Sequence, residues 1–176
     1  METITAYVGQ IQSMSLGAAL ARMAAALIFG GLIGWEREAH ARAAGLRTHM
    51  LISLAAALFT IIAMELTHIE GDADAAMTYD PGRLIEAVTA GVAFLAAGSI
   101  VISGANVRGI TTGASMWLVG AIGLCCGTGD LMLAGMATLL ALIVLWLIRV
   151  VMPGGEQPGG TADTPASGEG QQGRGQ

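Results

Sequence analysis

Six polar side chains that could bind a ligand stand where the apolar runs of this chain begin or end. They are Glu36, Arg37, Arg47, Thr48, Asn106 and Arg108. Arginine presents a planar fork of donors that suits carboxylate or phosphate groups, and glutamate adds the opposite charge. We therefore predict a surface that docks an anionic ligand, a lipid headgroup or an acidic segment of a partner. The alternative is that these residues only tie helix ends together.

Two other charged residues, Arg22 and Glu86, fall inside apolar runs. Charges at membrane depth are costly, so they usually face protein or water and find partners. One hypothesis is that Arg22 and Glu86 pair across the first and third runs. The other is that the long Arg22 side chain extends to the outer membrane surface and Glu86 reaches the lipid headgroups. Both interpretations stay open at this point.

The elements that carry these residues are five apolar segments. Only 12% of the 176 residues are charged and the mean hydropathy is +0.67, whereas a soluble domain carries about 25% charged residues. The segments are Leu16–Gly34, His49–Leu66, Leu84–Ile102, Thr111–Cys126 and Leu131–Val151. Each approaches the length that crosses a hydrocarbon core of about 30 Å. We predict an all-α polytopic bundle of about five spans, or four spans with a re-entrant fourth segment.

Arginine placement predicts the orientation of the spans. All eight basic residues are arginine, and five spans place six of them on one side. The six are Arg37, Arg42, Arg47, Arg108, Arg149 and Arg174. Arg83 lies on the other side, and Arg22 lies within the first span. The positive-inside rule then predicts an external N-terminus and a cytoplasmic C-terminus.

Three regions follow from this pattern. Residues 1–15 are polar and lack a basic leader, so we expect an external N-terminus followed by a retained helix, not a cleaved signal peptide. Residues 16–152 form the transmembrane domain. Residues 153–176 are rich in glycine and proline and hold no large apolar residue, which predicts a disordered cytoplasmic tail.

No catalytic or metal-binding pattern stands out among the remaining reactive residues. The chain has no P-loop, no HExxH motif and no GxSxG motif in a strand-turn-helix context. The topology places His40, His49 and His68 on both sides of the membrane. Cys125 and Cys126 are adjacent, and neighbouring cysteines rarely bridge. We predict no enzyme, no cofactor and no metal, and the net charge of −5 argues against nucleic acid as a partner.

Three stretches resemble the MgtC/SapB family of bacterial inner-membrane proteins. The first is Gly30–Glu38 with the following Ala44–His49, which reads AGLRTH. The second runs from Asp80-Pro-Gly-Arg83 into the third span, and the third is Asn106–Thr112, which leads to Trp117. The resemblance covers roughly 16–151. It implies a multi-pass protein of the inner membrane, and many members carry a soluble C-terminal domain where this chain has its tail.

The resemblance implies a role in adaptation to low magnesium, and some members look like modulators of other membrane complexes. We therefore expect membrane lipid and membrane-protein partners, or copies of this chain, as its partners. The alternative is a transporter or channel subunit for magnesium or another cation. Transport needs an ionisable path across the midplane, and the central parts of the second, fourth and fifth spans hold no acidic or basic residue. That absence favours the modulator.

Overall fold

The structure is a computed structural model that describes residues 13–69, 80–103 and 106–151. Most of the predicted N-terminal segment 1–15 and all of the predicted tail 153–176 lie outside the described residues. So does the stretch 70–79 between the second and third apolar segments, which holds Glu70, Asp72 and Asp74. What the sequence predicts for these regions stays a prediction.

Five helices and one short hairpin make up the described fold. The helices are α1 (Leu16–Ala39), α2 (Leu46–Ile69), α3 (Pro81–Gly98), α4 (Ile110–Thr128) and α5 (Leu131–Val151). Between α3 and α4, the strands β1 (Val101–Ser103) and β2 (Asn106–Arg108) pair antiparallel. The predicted all-α bundle is confirmed. The hairpin is an addition that the apolar pattern did not predict.

Four of the helices are long and apolar enough to cross a membrane, namely α1, α2 as far as Leu66, α4 and α5. The sequence raised doubt about the fourth segment, but α4 has 19 residues and meets both conditions. The helix that does not meet these conditions is α3. Its 18 residues include Pro81, Arg83 and Glu86, which lower its mean hydropathy.

Helices α1, α2 and α4 pack closely through glycines. A Cβ atom added to Gly34 of α1 would lie 2.8 Å from the Cα of Leu46 on α2. A Cβ atom on Gly123 of α4 would lie 2.3 Å from the carbonyl oxygen of Ser53, and one on Gly127 would meet α2 in the same way. Membrane helices associate through such close approach of small residues. The three helices therefore form the centre of the bundle.

The other two helices pack on this centre from the outside. Helix α3 contacts α4, where Val92 lies against Gly120 and Ala96 against Gly113. Helix α5 packs on α1 and α4 and leaves most of its large apolar side chains exposed. In a membrane, lipid would cover such side chains.

The turn between α4 and α5 satisfies the backbone groups at both helix ends. Gly129 has a φ of 93°, and its N–H donates to the carbonyl of Cys126 at 3.0 Å while Asp130 N–H donates to that of Cys125 at 3.0 Å. These two bonds make a Schellman motif. The carboxylate of Asp130 then accepts from Leu133 N at 3.0 Å and caps α5.

Candidate functional site at the arginine-rich end

One end of the bundle gathers one terminus of each of the five described helices and the hairpin, and we call it the arginine-rich end. It carries Arg37, Arg42, Arg47, Arg108 and Arg149. It comprises the end of α1, the start of α2, the end of α3, the hairpin, the start of α4 and the end of α5.

Arg37 is a buried arginine in the last turn of α1. Its Nη2 donates to the Thr112 hydroxyl of α4 at 3.1 Å, and its Nη1 lies 4.0 Å from Oε2 of Glu36. Burying a guanidinium is costly unless its donors find acceptors. Arg37 therefore joins α1 to α4 and is not available to a ligand from solution.

Glu36 forms a second connection, from α1 to α5. Its Oε1 accepts from Nη2 of Arg149 and lies 3.5 Å from Nδ1 of His40. The Glu36 side chain is 17% exposed and that of Arg149 is 45% exposed. An ion pair at such a partly exposed position contributes only modestly to stability, but it fixes the relative position of the two helix ends.

Glu38 of α1 contacts the AGLRTH stretch, residues 44–49, where α2 begins. Its Oε2 accepts from the backbone N–H of Leu46 at 2.8 Å, at the start of α2. A Cβ atom on Gly45 would lie 1.9 Å from that same carboxylate oxygen. A side chain at position 45 would displace this carboxylate from Leu46, so Gly45 lets Glu38 cap the start of α2.

His49 lies fully buried one turn into α2. Its Nδ1 is 2.8 Å from the carbonyl oxygen of Gly45, and its Nε2 is 3.0 Å from the Ser115 hydroxyl of α4. Ser115 Oγ is in turn 2.8 Å from the carbonyl oxygen of Thr112. A continuous polar chain therefore leads from Arg37 through the first turn of α4 to an imidazole inside the bundle.

The capping residue of α4 differs from a common pattern. The N-cap is Gly109, which has a φ of 87° and makes no side-chain cap hydrogen bond. The Thr112 hydroxyl accepts a hydrogen bond from Arg37 instead.

Within the described residues, no group of three or more His, Cys, Asp and Glu side chains could hold a metal ion.

Comparison with known proteins identifies the family. The model of the MgtC family matches residues 23–152. The chain belongs to the MgtC family. Protein MgtC of Brucella abortus (strain 2308) is 38% identical over 127 residues, which cover 72% of this chain and 50% of that protein. Protein MgtC of Salmonella typhimurium (strain LT2) is 38% identical over 125 residues, 71% of this chain and 50% of that protein.

This MgtC-family chain spans about half the length of the curated relatives it matches. No solved structure matches it. The family model and these relatives confirm the family that the three motif stretches indicate, and with it that the chain is a membrane protein.

The structure gives the predicted surface residues different degrees of burial. Glu36 and Arg37 are packed into the helix ends, Thr48 is half-buried, and Arg47 and Arg108 are exposed. Asn106 pairs with Ser103 in the hairpin register, and its side chain lies outside what the structure describes.

The structure does not bring Arg22 and Glu86 together. Arg22 Nη1 donates to the carbonyl oxygen of Gly127 at 2.9 Å and lies 3.8 Å from the sulfur of Met64. The last carbonyls of a helix lack partners within that helix and form the negative end of its dipole. The end of α4 is therefore the partner that the pairing hypothesis missed. Glu86 is exposed on α3.

Sequence reasoning also missed His49, Thr112, Ser115 and Arg149 as members of the site. One signal was available on α2, where three polar residues share one helical face at spacings of four and seven. They are His49, Ser53 and Thr60, all at most 1% exposed. Polar residues inside an apolar span usually face other helices.

Cys126 packs in the core and Cys125 beside it, as small apolar residues would.

Proposed function

We propose that this chain is a non-catalytic protein of a bacterial inner membrane that modulates membrane complexes or cation homeostasis during adaptation to low magnesium. Membership in the MgtC family supports this role, as does the arrangement of the arginine-rich end. The observation that carries the proposal is the pair of cross-helix connections, Arg37 to Thr112 and Glu36 to Arg149. They hold three helix ends in a fixed arrangement beside exposed arginines.

The proposed docking surface consists of Arg47, Thr48, Asn106 and Arg108, with Glu36 and Arg37 as its support. The exposed guanidinium groups of Arg47 and Arg108 keep their donors available to a carboxylate or phosphate group. The buried Arg37 fixes the start of α4, which follows the hairpin that carries Asn106 and Arg108. An acidic segment of a membrane-protein partner, or of a second copy of this chain, would dock there.

We place this surface in the cytoplasm, with the N-terminus outside and the C-terminus inside. The six-to-one distribution of arginines supports that orientation. Cysteine accessibility at position 42 tests it in intact cells. An impermeant reagent should leave the Arg42→Cys variant unlabelled until the membrane is opened, and labelling from outside would reverse the assigned orientation.

Asn106→Ala tests the surface itself. A strain that lacks the endogenous protein is complemented with the wild type or the variant and grown at low magnesium. Asn106 lies in the short hairpin, outside the helices that can cross a membrane, and contributes little to insertion, so the variant should reach normal abundance yet fail to restore growth. Arg83→Gln is the control, because Arg83 is exposed near the start of α3, at the other end of the bundle. Normal growth at normal abundance would remove Asn106 from the site.

Ion transport is the second candidate, and the buried polar face of α2 is the observation in its favour. That face is closely packed, however, since a Cβ atom on Gly123 would already meet the backbone of Ser53. Purified protein in sealed liposomes should therefore pass no magnesium, and crosslinking in native membranes should capture stable partners. Magnesium flux without partners would favour the transporter.

A further inference from the structure

A groove of about 530 Å³ lies between α4 and α5, and it has no part in the docking surface. Ile33 of α1, which is fully buried, also lines the groove. Other lining residues are Ala114, Leu118, Ala137, Leu140 and Val144. Among the described residues that line it, only Thr111 and Ser115 have polar side chains. Small alanines on both facing helices leave the depression open, so an apolar occupant is needed to fill it.

A row of groove-lining residues on α5 leads toward Arg149. Ala137, Ala141 and Leu145 line the groove at four-residue spacing along α5, and residues spaced by four share one face of a helix. Arg149 is the next residue in this row, so it lies where the groove reaches the arginine-rich end. Its guanidinium pairs with Glu36 and remains 45% exposed. Because arginine has five N–H donors, further donors remain for an anion.

We propose that this groove holds one acyl chain of an anionic phospholipid, with the lipid phosphate bound by Arg149. The apolar walls fit the chain and the charge of the guanidinium complements the phosphate. Glu36 contacts two guanidinium groups, those of Arg37 and Arg149, so its one negative charge does not cancel both of their positive charges. The proposal requires only that the chain is in a membrane, so it stands independently of the modulating role.

Native mass spectrometry of the full chain in detergent tests the proposal, with dioleoylphosphatidylglycerol and dioleoylphosphatidylcholine as probes. The wild type should retain one phosphatidylglycerol molecule in preference to phosphatidylcholine. Ala114→Phe places a ring in the groove from an exposed position, and it should weaken phosphatidylglycerol retention by about tenfold. Ala93→Phe is the matched control, an exposed alanine of α3 outside the groove, and it should bind as the wild type does.

Arg149→Gln separates the headgroup from the chain. One arginine near an anionic headgroup is worth about 1 kcal/mol, so the preference for phosphatidylglycerol should fall by about fivefold while phosphatidylcholine binding persists. This variant changes an exposed residue, so it keeps the test valid if Ala114→Phe does not fold. The soluble headgroup glycerophosphoglycerol should not compete, because it has no acyl chain.

Three results would overturn the proposal. Equal lipid retention by Ala114→Phe and Ala93→Phe would place the lipid elsewhere. Competition by glycerophosphoglycerol would leave an anion site without a chain site. Absence of lipid from the wild type, with crosslinking to a polypeptide by a photoreactive residue placed at position 114, would show that a partner helix occupies the groove.

Discussion

Arg37 Nη2 lies 3.1 Å from the Thr112 hydroxyl and joins the last turn of α1 to the first turn of α4. Arg37 is 3% exposed and Thr112 is 2% exposed. Since a buried guanidinium needs acceptors, this bond belongs to the architecture of the bundle. Arg47 and Arg108 are exposed, and a partner can reach them.

Thr112→Val should destabilise the protein by about 1–3 kcal/mol, because it removes an acceptor from a buried charged donor while it preserves the shape of the side chain. Chemical unfolding in detergent micelles measures the change. Thr111→Val is the matched control, since Thr111 is exposed, and its effect should stay within about 0.5 kcal/mol. Equal stability of the two variants would mean that the hydroxyl of Thr112 does not support Arg37.

Much of this fold could be predicted from hydropathy, because apolar runs fix where helices cross a membrane. The predicted first and fifth segments begin at Leu16 and Leu131, as α1 and α5 do. The partner of Arg22 could not be predicted, since it is a backbone carbonyl that any residue type provides. The contact between His49 and Ser115 depends on how α2 and α4 approach each other, and one sequence does not specify that approach.

Arg22→Gln should cost about 1–3 kcal/mol, because the end of α4 loses a charged donor at Gly127. Glu86→Gln should change stability by less than about 0.5 kcal/mol, since Glu86 is exposed. The double variant should equal the sum within about 0.5 kcal/mol. A larger coupling energy in this cycle would restore the hypothesis that the two residues pair.

Gly123→Ala should destabilise the bundle by about 1–3 kcal/mol, because its Cβ would lie 2.3 Å from a backbone oxygen of α2 that cannot move aside locally. Gly91→Ala serves as the control, since no atom lies within 4 Å of the added Cβ. It should leave stability unchanged or raise it by up to about 1 kcal/mol through helix propensity. Equal losses in both variants would contradict the close packing of α2 and α4.

The hydrogen bonds around His49 require more hydrogens than a neutral ring supplies. Each of three contacts needs one hydrogen. They join Nδ1 to the Gly45 carbonyl, Nε2 to the Ser115 hydroxyl, and that hydroxyl to the Thr112 carbonyl. A neutral imidazole and a hydroxyl have two between them, whereas a protonated ring and the hydroxyl have three. The Gly45 carbonyl only accepts, so Nδ1 carries a hydrogen in either state. In the neutral state the Ser115 hydroxyl can donate to Nε2 or to Thr112, but not to both.

Nitrogen-15 NMR of the histidine rings should therefore show His49 with Nδ1 protonated whatever the pH, and Ser115→Ala should leave that assignment unchanged. The same substitution should cost about 1–3 kcal/mol, because Nε2 becomes a buried polar atom without its partner. Ser99→Ala removes only a local bond to the carbonyl of Ala96 and should cost less than about 0.5 kcal/mol. A ring protonated at Nε2 alone would mean that it does not donate to Gly45. The polar chain from Arg37 would then end at the ring, because Nε2–H would donate to Ser115 while Nδ1 would have no hydrogen for Gly45.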